Sequence, residues 1–198
     1  MNSVADRTLA IFHRTGAYLQ GHFKLTSGLH SPQYLQCALV LQHPDIAAQL
    51  GNELAGALAS LVDGTKVSVV VAPAMGGLII GHEVARALGV RFIFTERDPS
   101  TRVMHLRRGF QVEKGDNAVV IEDVITTGGS SLEVIDLLKA AGGNVLAAAS
   151  IIDRSGGKSD LGVPRVALAT LDVISYAEES CPMCAEGMPV RKPGSRPG

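Results

Sequence analysis

Apolar runs alternate with helical periodicities through most of the chain. Strands are expected around Val67–Ala72, Arg91–Thr95, Ala118–Ile121, Val145–Ile152 and Val166–Leu171, with helical patterns such as Pro44–Leu61 and Gly77–Leu88 between several of them. The run Val119, Val120, Ile121 has no polar alternation, as in a strand covered on both faces of a parallel sheet. Gly89 follows Leu88 and Gly142-Gly143 follow Ala141, both suitable helix stops. This order implies an α/β fold with a mainly parallel, doubly wound sheet. A first helix over Val4–Arg14 and the tail beyond Asp172 are expected outside the core, and 198 residues suit one domain, 1–198.

Chemistry concentrates in residues 119–131, VVIEDVITTGGSS. Ligands of such sheets sit beyond the carboxyl ends of the strands, where Glu122 and Asp123 are expected. Two carboxylates there can accept hydrogen bonds from vicinal ribose hydroxyls or help hold a divalent cation. Thr126, Thr127, Gly128 and Gly129 then form a turn of small residues, and Ser130 with Glu133 fits a capping box opening a helix over Leu132–Ala141. Glycines let backbone N–H groups approach a phosphate, and a helix N-terminus adds about 0.3–1 kcal/mol per interaction. The bland alternative is a strand, turn and helix with incidental acids.

The stretch resembles the phosphoribosyl-diphosphate (PRPP) motif of type I phosphoribosyltransferases. That resemblance implies the fold of the family, with Glu122 and Asp123 on the ribose hydroxyls. It places Val124, Ile125, Thr126, Thr127, Gly128, Gly129 and Ser130 against PRPP, the loop taking the 5-phosphate, and Mg²⁺ near Asp123, held mainly through PRPP. The segment Gly21–Gln36 resembles the orotate phosphoribosyltransferases within that family through Phe23, Leu25, Ser27, Gly28, Ser31 and Tyr34. Orotate is a flat ring with a carboxylate, so its site needs a cation, backbone donors and an aromatic or apolar wall; Lys24 and Tyr34 are candidates, although a snorkelling lysine and an ordinary strand aromatic would look the same. Ile151-Ile152-Asp153-Arg154 supplies a third match. The resemblance assigns orotate to Arg154 and Thr126, a guanidinium fork being matched to a carboxylate; the alternative is a structural Asp153–Arg154 surface pair. The implied reaction transfers ribose 5-phosphate from PRPP to orotate in UMP biosynthesis, by a homodimer with a hood from about 1–40 and 172–198 and a flexible lid at about 96–112. A purine phosphoribosyltransferase and a non-catalytic PRPP- or nucleotide-binding regulator remain as rivals.

Some positions depart from that pattern. Many orotate enzymes carry a lid with several lysines and a His-Gly, whereas Thr95–Lys114 offers Arg97, Arg102, His105, Arg107 and Arg108, with Gly109 after the last pair. Arg107 is the catalytic candidate there, since arginines can also neutralise departing pyrophosphate; a solvated arginine-rich hairpin is the alternative. The loop Ala72–Gly77 stands at the family's pyrophosphate position but has Met75-Gly76 where many relatives place an aromatic and a lysine, leaving backbone N–H groups near Gly76 and Gly77 to serve. The tail Cys181–Arg196 resembles that of one branch of the family. Its Cys181-x-x-Cys184 has the spacing of half a zinc site, but Cys37 is the only other cysteine and no neighbouring histidine completes four ligands; two chains of a dimer could share a site, and reduced, unliganded thiols are the expected state.

A formal net charge of −1 with scattered basic residues indicates no nucleic-acid partner. The absence of a long apolar stretch argues against a membrane span, and polar Asn2, Ser3, Asp6 and Arg7 against a signal peptide; with three cysteines the chain reads as cytoplasmic. Phe23, Tyr34 and Phe110 are the aromatics near proposed sites.

Overall fold

The computed structural model describes residues 3–25 and 28–193; Ser27 of the amino-terminal segment and residues 194–198 of the tail lie outside them. Six strands make the main sheet: β3 (Val69–Pro73), β4 (Arg91–Arg97), β5 (Met104–Leu106), β6 (Asn117–Ile125), β7 (Asn144–Asp153) and β8 (Arg165–Thr170), in the order β5-β4-β3-β6-β7-β8. All neighbours run parallel except β4 and β5. The fold class expected from the apolar runs is therefore present, with an antiparallel edge added by β5. A three-residue strand carries too little pattern to be read from sequence.

Strand alternation divides the core in two. Val70, Val119, Ile121, Ala147 and Ala149 face the larger cluster, packed by α3 (Pro44–Ala59) and α4 (Gly77–Leu88). Val69, Val71, Ala118, Val120 and Ala148 face the smaller one under α5 (Gly129–Ala140). Helix α1 (Val4–Arg14), expected outside this core, instead buries Ile11 and Phe12 in the larger cluster. A real capping box starts it, with the Asp6 N–H donating to Ser3 Oγ at 3.1 Å and the Ser3 N–H to Asp6 Oδ2 at 3.0 Å.

Apart from the sheet stands a hairpin, β1 (Tyr18–Lys24) and β2 (His30–Leu35), joined to the sheet by the short α2 (Cys37–Leu41). The tail returns along both hairpin edges. His30 and Tyr176 exchange two backbone hydrogen bonds of 2.8 Å, and Arg191 donates to His22 O and accepts from Lys24 N, also at 2.8 Å. Among the described residues no helix is long and apolar enough to cross a membrane.

Candidate active site

Strand order reverses between β3 and β6, since β3 leads to β4 on one side while β6 leads to β7 on the other. A crevice opens at the carboxyl ends of strands at such a switch point, and the acidic pair lies there. Pairing with β7 continues as far as Ile125↔Asp153, so β6 extends beyond the predicted Ile121, and Glu122 and Asp123 lie inside the strand. Glu122 is buried and Asp123 half-buried. Burial, reinforced by the Asp123 charge, pushes the Glu122 carboxyl well above the usual range. Burial also raises Asp123, partly offset by hydrogen bonding from Glu122, from the Val124 N–H at 2.8 Å and from the Cys37 thiol. Two crowded acids, of which Glu122 lines a cleft, favour a shared proton, or the arrival of hydroxyl donors or a cation. Cys37 had no expected role; buried against both acids, its thiol is held well above its ordinary pKa and stays a donor.

Gly76, in the loop after β3, closes on Asp123. A Cβ there would stand 2.5 Å from Asp123 Oδ1. The Ala72–Gly77 loop thus approaches Asp123 through backbone at Gly76.

A small open cleft follows, lined by Glu122 and by Val124 to Ser131. The expected capping box is not formed. Helix α5 begins at Gly129, its N-cap is Gly128 at φ 83° with no side-chain cap, and Glu133 instead binds Arg97 through two contacts of 2.7 Å. Leaving the first turn without a side-chain cap keeps its N–H groups directed into the cleft for an external acceptor.

Arg154 follows β7 and reaches toward the hairpin. Asp153 does not pair with it: the Asp153 carboxylate is buried and receives Arg165 at 2.6 Å and the Ser155 N–H at 2.7 Å. Burial acts to raise the Asp153 pKa, but the Ser155 and Arg165 hydrogen bonds outweigh it and hold the group low. Arg154 keeps only 3.4 Å contacts from Nη2 to Ser31 Oγ and Gln33 O, while its buried Nε has no partner among the described residues. Tyr34 lies close to both Arg154 and Asp123, its phenol pushed up by burial and then by the Asp123 charge.

Other expected residues are placed differently. Lys24 Nζ pairs with Glu178 Oε2 at 3.0 Å. In the segment expected as a lid, Arg97 is held by Glu133, and Arg108 by Glu96 at 2.8 and 2.9 Å with its guanidinium 5.8 Å above the Phe94 ring. Among the described residues Arg107 has no ion pair. Histidines also stand beside Cys181 and Cys184, contrary to expectation: His22 and His30 bring their ring nitrogens to the two thiols.

Comparison with known proteins settles the family. The phosphoribosyl transferase domain family matches residues 40–162. The chain is 56% identical over 191 residues to the orotate phosphoribosyltransferase of Pelotomaculum thermopropionicum, covering 96% of this chain and 97% of that one. The chain belongs to the orotate phosphoribosyltransferase family. A second family member, from Heliobacterium modesticaldum, is 52% identical over 191 residues, covering 96% and 98% of the two chains. Among solved structures, orotate phosphoribosyltransferase from Aeropyrum pernix superposes with a TM-score of 0.66 at 28% identity, covering 82% of this chain and 92% of that one. An adenine phosphoribosyltransferase reaches 0.67 at 19% identity, covering 84% and 99%, a likeness of fold alone.

Proposed function

We propose that the chain transfers ribose 5-phosphate from PRPP to N1 of orotate, releasing pyrophosphate and yielding orotidine 5′-phosphate in pyrimidine synthesis. The observation that carries the reading is the joining of the acidic pair, the uncapped α5 start and an under-partnered arginine at one switch point. In this reading Glu122 and Asp123 accept from the ribose hydroxyls. Backbone from Val124 to Ser130 cradles the 5-phosphate, and Arg154, with Thr126 and Tyr34, orients orotate. Lys24 belongs at the base side, and Arg107, exposed at the end of the lid strand, is the cation for departing diphosphate.

The transition state has oxocarbenium character at the anomeric carbon, with the bond to diphosphate breaking as N1 approaches. Nothing in the reaction requires a covalent enzyme intermediate, so the chain works by orienting two bound substrates and excluding water. Buried, adjacent carboxylates are hard oxygen donors that fit Mg²⁺, and Asp123 with Glu122 would hold it together with PRPP. When bound it neutralises the charge gathering on diphosphate. The proposal includes a homodimer whose lid completes the neighbouring site; sedimentation as a monomer at every concentration would remove that part.

Mg²⁺-dependent pyrophosphate release from PRPP tests the reading with orotate, uracil, hypoxanthine and xanthine offered side by side. Orotate alone should support turnover. Turnover of a purine alone would sink the proposal, as would PRPP binding without turnover of any base.

Gly128→Ala probes the phosphate cradle. The left-handed backbone costs a side chain about 1–2 kcal/mol, and the new Cβ would stand 2.6 Å from Leu161 Cδ2 and against Ser159 Oγ. Steady-state kinetics should show KM for PRPP raised about tenfold, the equivalent of 1.4 kcal/mol, with KM for orotate little changed. An unchanged KM for PRPP would put the phosphate elsewhere.

A further inference from the structure

The tail crosses the hairpin at a cluster that the transferase reaction does not use. His22 and His30 face each other across β1 and β2, and Cys181 is the N-cap of the short helix α6 (Pro182–Ala185), which contains Cys184. One ligand atom from each residue lies within 4.8 Å of all the others, and all but Cys184 are buried. Cys184 Sγ stands 3.2 Å from His30 Nδ1 and 3.6 Å from His22 Nε2, and Cys181 Sγ is also 3.6 Å from His22 Nε2. In a tetrahedral site with Zn–S of about 2.3 Å and Zn–N of about 2.0–2.1 Å, sulfur and nitrogen ligands are separated by about 3.5 Å.

Proton placement points the same way. His22 Nδ1 lies 2.8 Å from Met188 O, an acceptor only, so this nitrogen carries hydrogen and Nε2 offers a lone pair. His30 Nδ1 is 2.7 Å from that lone pair. If His30 used its single proton to bridge this gap, its other nitrogen would turn a bare lone pair toward the Glu178 carboxylate. His30 Nε2 is buried, has no hydrogen-bond partner among the described residues, and sits 3.9 Å from Glu178 Oε2. A cation between the two bare nitrogens reverses the arrangement: His30 binds through Nδ1 and presents Nε2–H to Glu178. Backbone carbonyl and carboxylate acceptors behind ligating imidazoles are the usual outer support of a metal.

We propose that His22 Nε2, His30 Nδ1, Cys181 Sγ and Cys184 Sγ form a closed Zn²⁺ site that staples the tail to the β1–β2 hairpin. Two thiols and two imidazoles in a tetrahedral cage favour Zn²⁺ over Mg²⁺, which takes oxygen ligands. Binding releases two thiol protons, needs no oxidant, and leaves the dication balanced by two thiolates, a neutral unit suited to burial. Four protein ligands leave no open position for water or substrate, which makes the site structural. Its consequence for the active site passes through β2, because Ser31, next to His30, and Gln33 are what Arg154 touches.

The test uses the full chain purified without chelator. Elemental analysis should find about one zinc per chain, and Cys184→Ser should retain less than a tenth of it. Exchange into Co²⁺ should give the intense visible bands of a tetrahedral thiolate site, and stripping the metal should lower the melting temperature by several degrees, reversibly with Zn²⁺ and not with Mg²⁺. Should the variant fail to fold, metal content and the Co²⁺ spectrum of the unaltered chain still decide. The proposal is overturned if that chain holds no zinc and, offered Zn²⁺ or Co²⁺, gives no thiolate band, or if Cys181 and Cys184 are found joined as a disulfide.

Discussion

Asp123→Asn should make the unliganded protein more stable while crippling its use of PRPP. The wild-type pair is crowded and buried, and both carboxyls are displaced upward. A carboxyl with a raised folded pKa binds a proton that the unfolded chain releases, so its contribution to stability is greatest below the unfolded value and is lost as pH rises through the folded one. At neutral pH the native state therefore carries a buried, poorly solvated charge at Asp123 that the amide removes, together with its repulsion of the Glu122 carboxyl. On the order of 1 kcal/mol of relief would raise the melting temperature by about 2–4 °C for a chain of this size. The variant's stability should also depend less on pH above the ordinary carboxylate range. Hydrogen bonds to a charged group are worth about 1.5–3 kcal/mol each, so kcat/KM for PRPP should fall on the order of a hundredfold. Calorimetry across pH and steady-state kinetics read the two effects separately. Unchanged kinetics would remove Asp123 from the ribose, and a lower melting temperature would mean that the acids support the fold instead of straining it.

The opposition between stability and ligand binding also explains which features were legible in the chain. Runs such as Val119–Ile121 have no polar alternation because both sheet faces are covered, and this local property is written in consecutive residues. Glu122 and Asp123 interrupt such a run at a cost that packing does not explain, which makes them visible as chemistry. The capping box was misread for the converse reason. Ser130 and Glu133 have the right spacing, but Gly128 in the left-handed region fixes the N-cap two residues before Ser130, and Arg97 from β4 takes Glu133. Asp153 likewise looks toward Arg154 in sequence, yet its carboxylate, at the end of β7, is taken by the Ser155 N–H and by Arg165 on β8. The histidines beside Cys181 and Cys184 are separated from them by some 150 residues of chain, beyond any motif of local spacing. They are recoverable from sequence only if the tail is already known to lie along the hairpin.

Arg154→Ala should destroy the use of orotate while sparing PRPP. Among the described residues the guanidinium makes only two long contacts to the hairpin and leaves Nε without a partner, an arrangement that spends burial without satisfying the donors. Burial accordingly pulls its pKa down from the ordinary arginine value. An incoming carboxylate would satisfy the fork directly. Truncating one partner of such a buried, charge-assisted pair costs about 2–5 kcal/mol, so kcat/KM for orotate should fall on the order of a hundredfold or more. The dissociation constant of PRPP should stay within about threefold, because its cradle is built from β6 and α5 and not from β7. Arg154→Lys should recover little, since a point charge cannot reproduce two parallel hydrogen bonds. Discrimination against uracil supplies the decisive comparison: the orotate-to-uracil preference should collapse in Arg154→Ala if the guanidinium reads the carboxylate. If orotate and PRPP use fell together and the preference survived, Arg154 would be a strut holding Ser31 and Gln33 in place, and the carboxylate would have to be read by another cation.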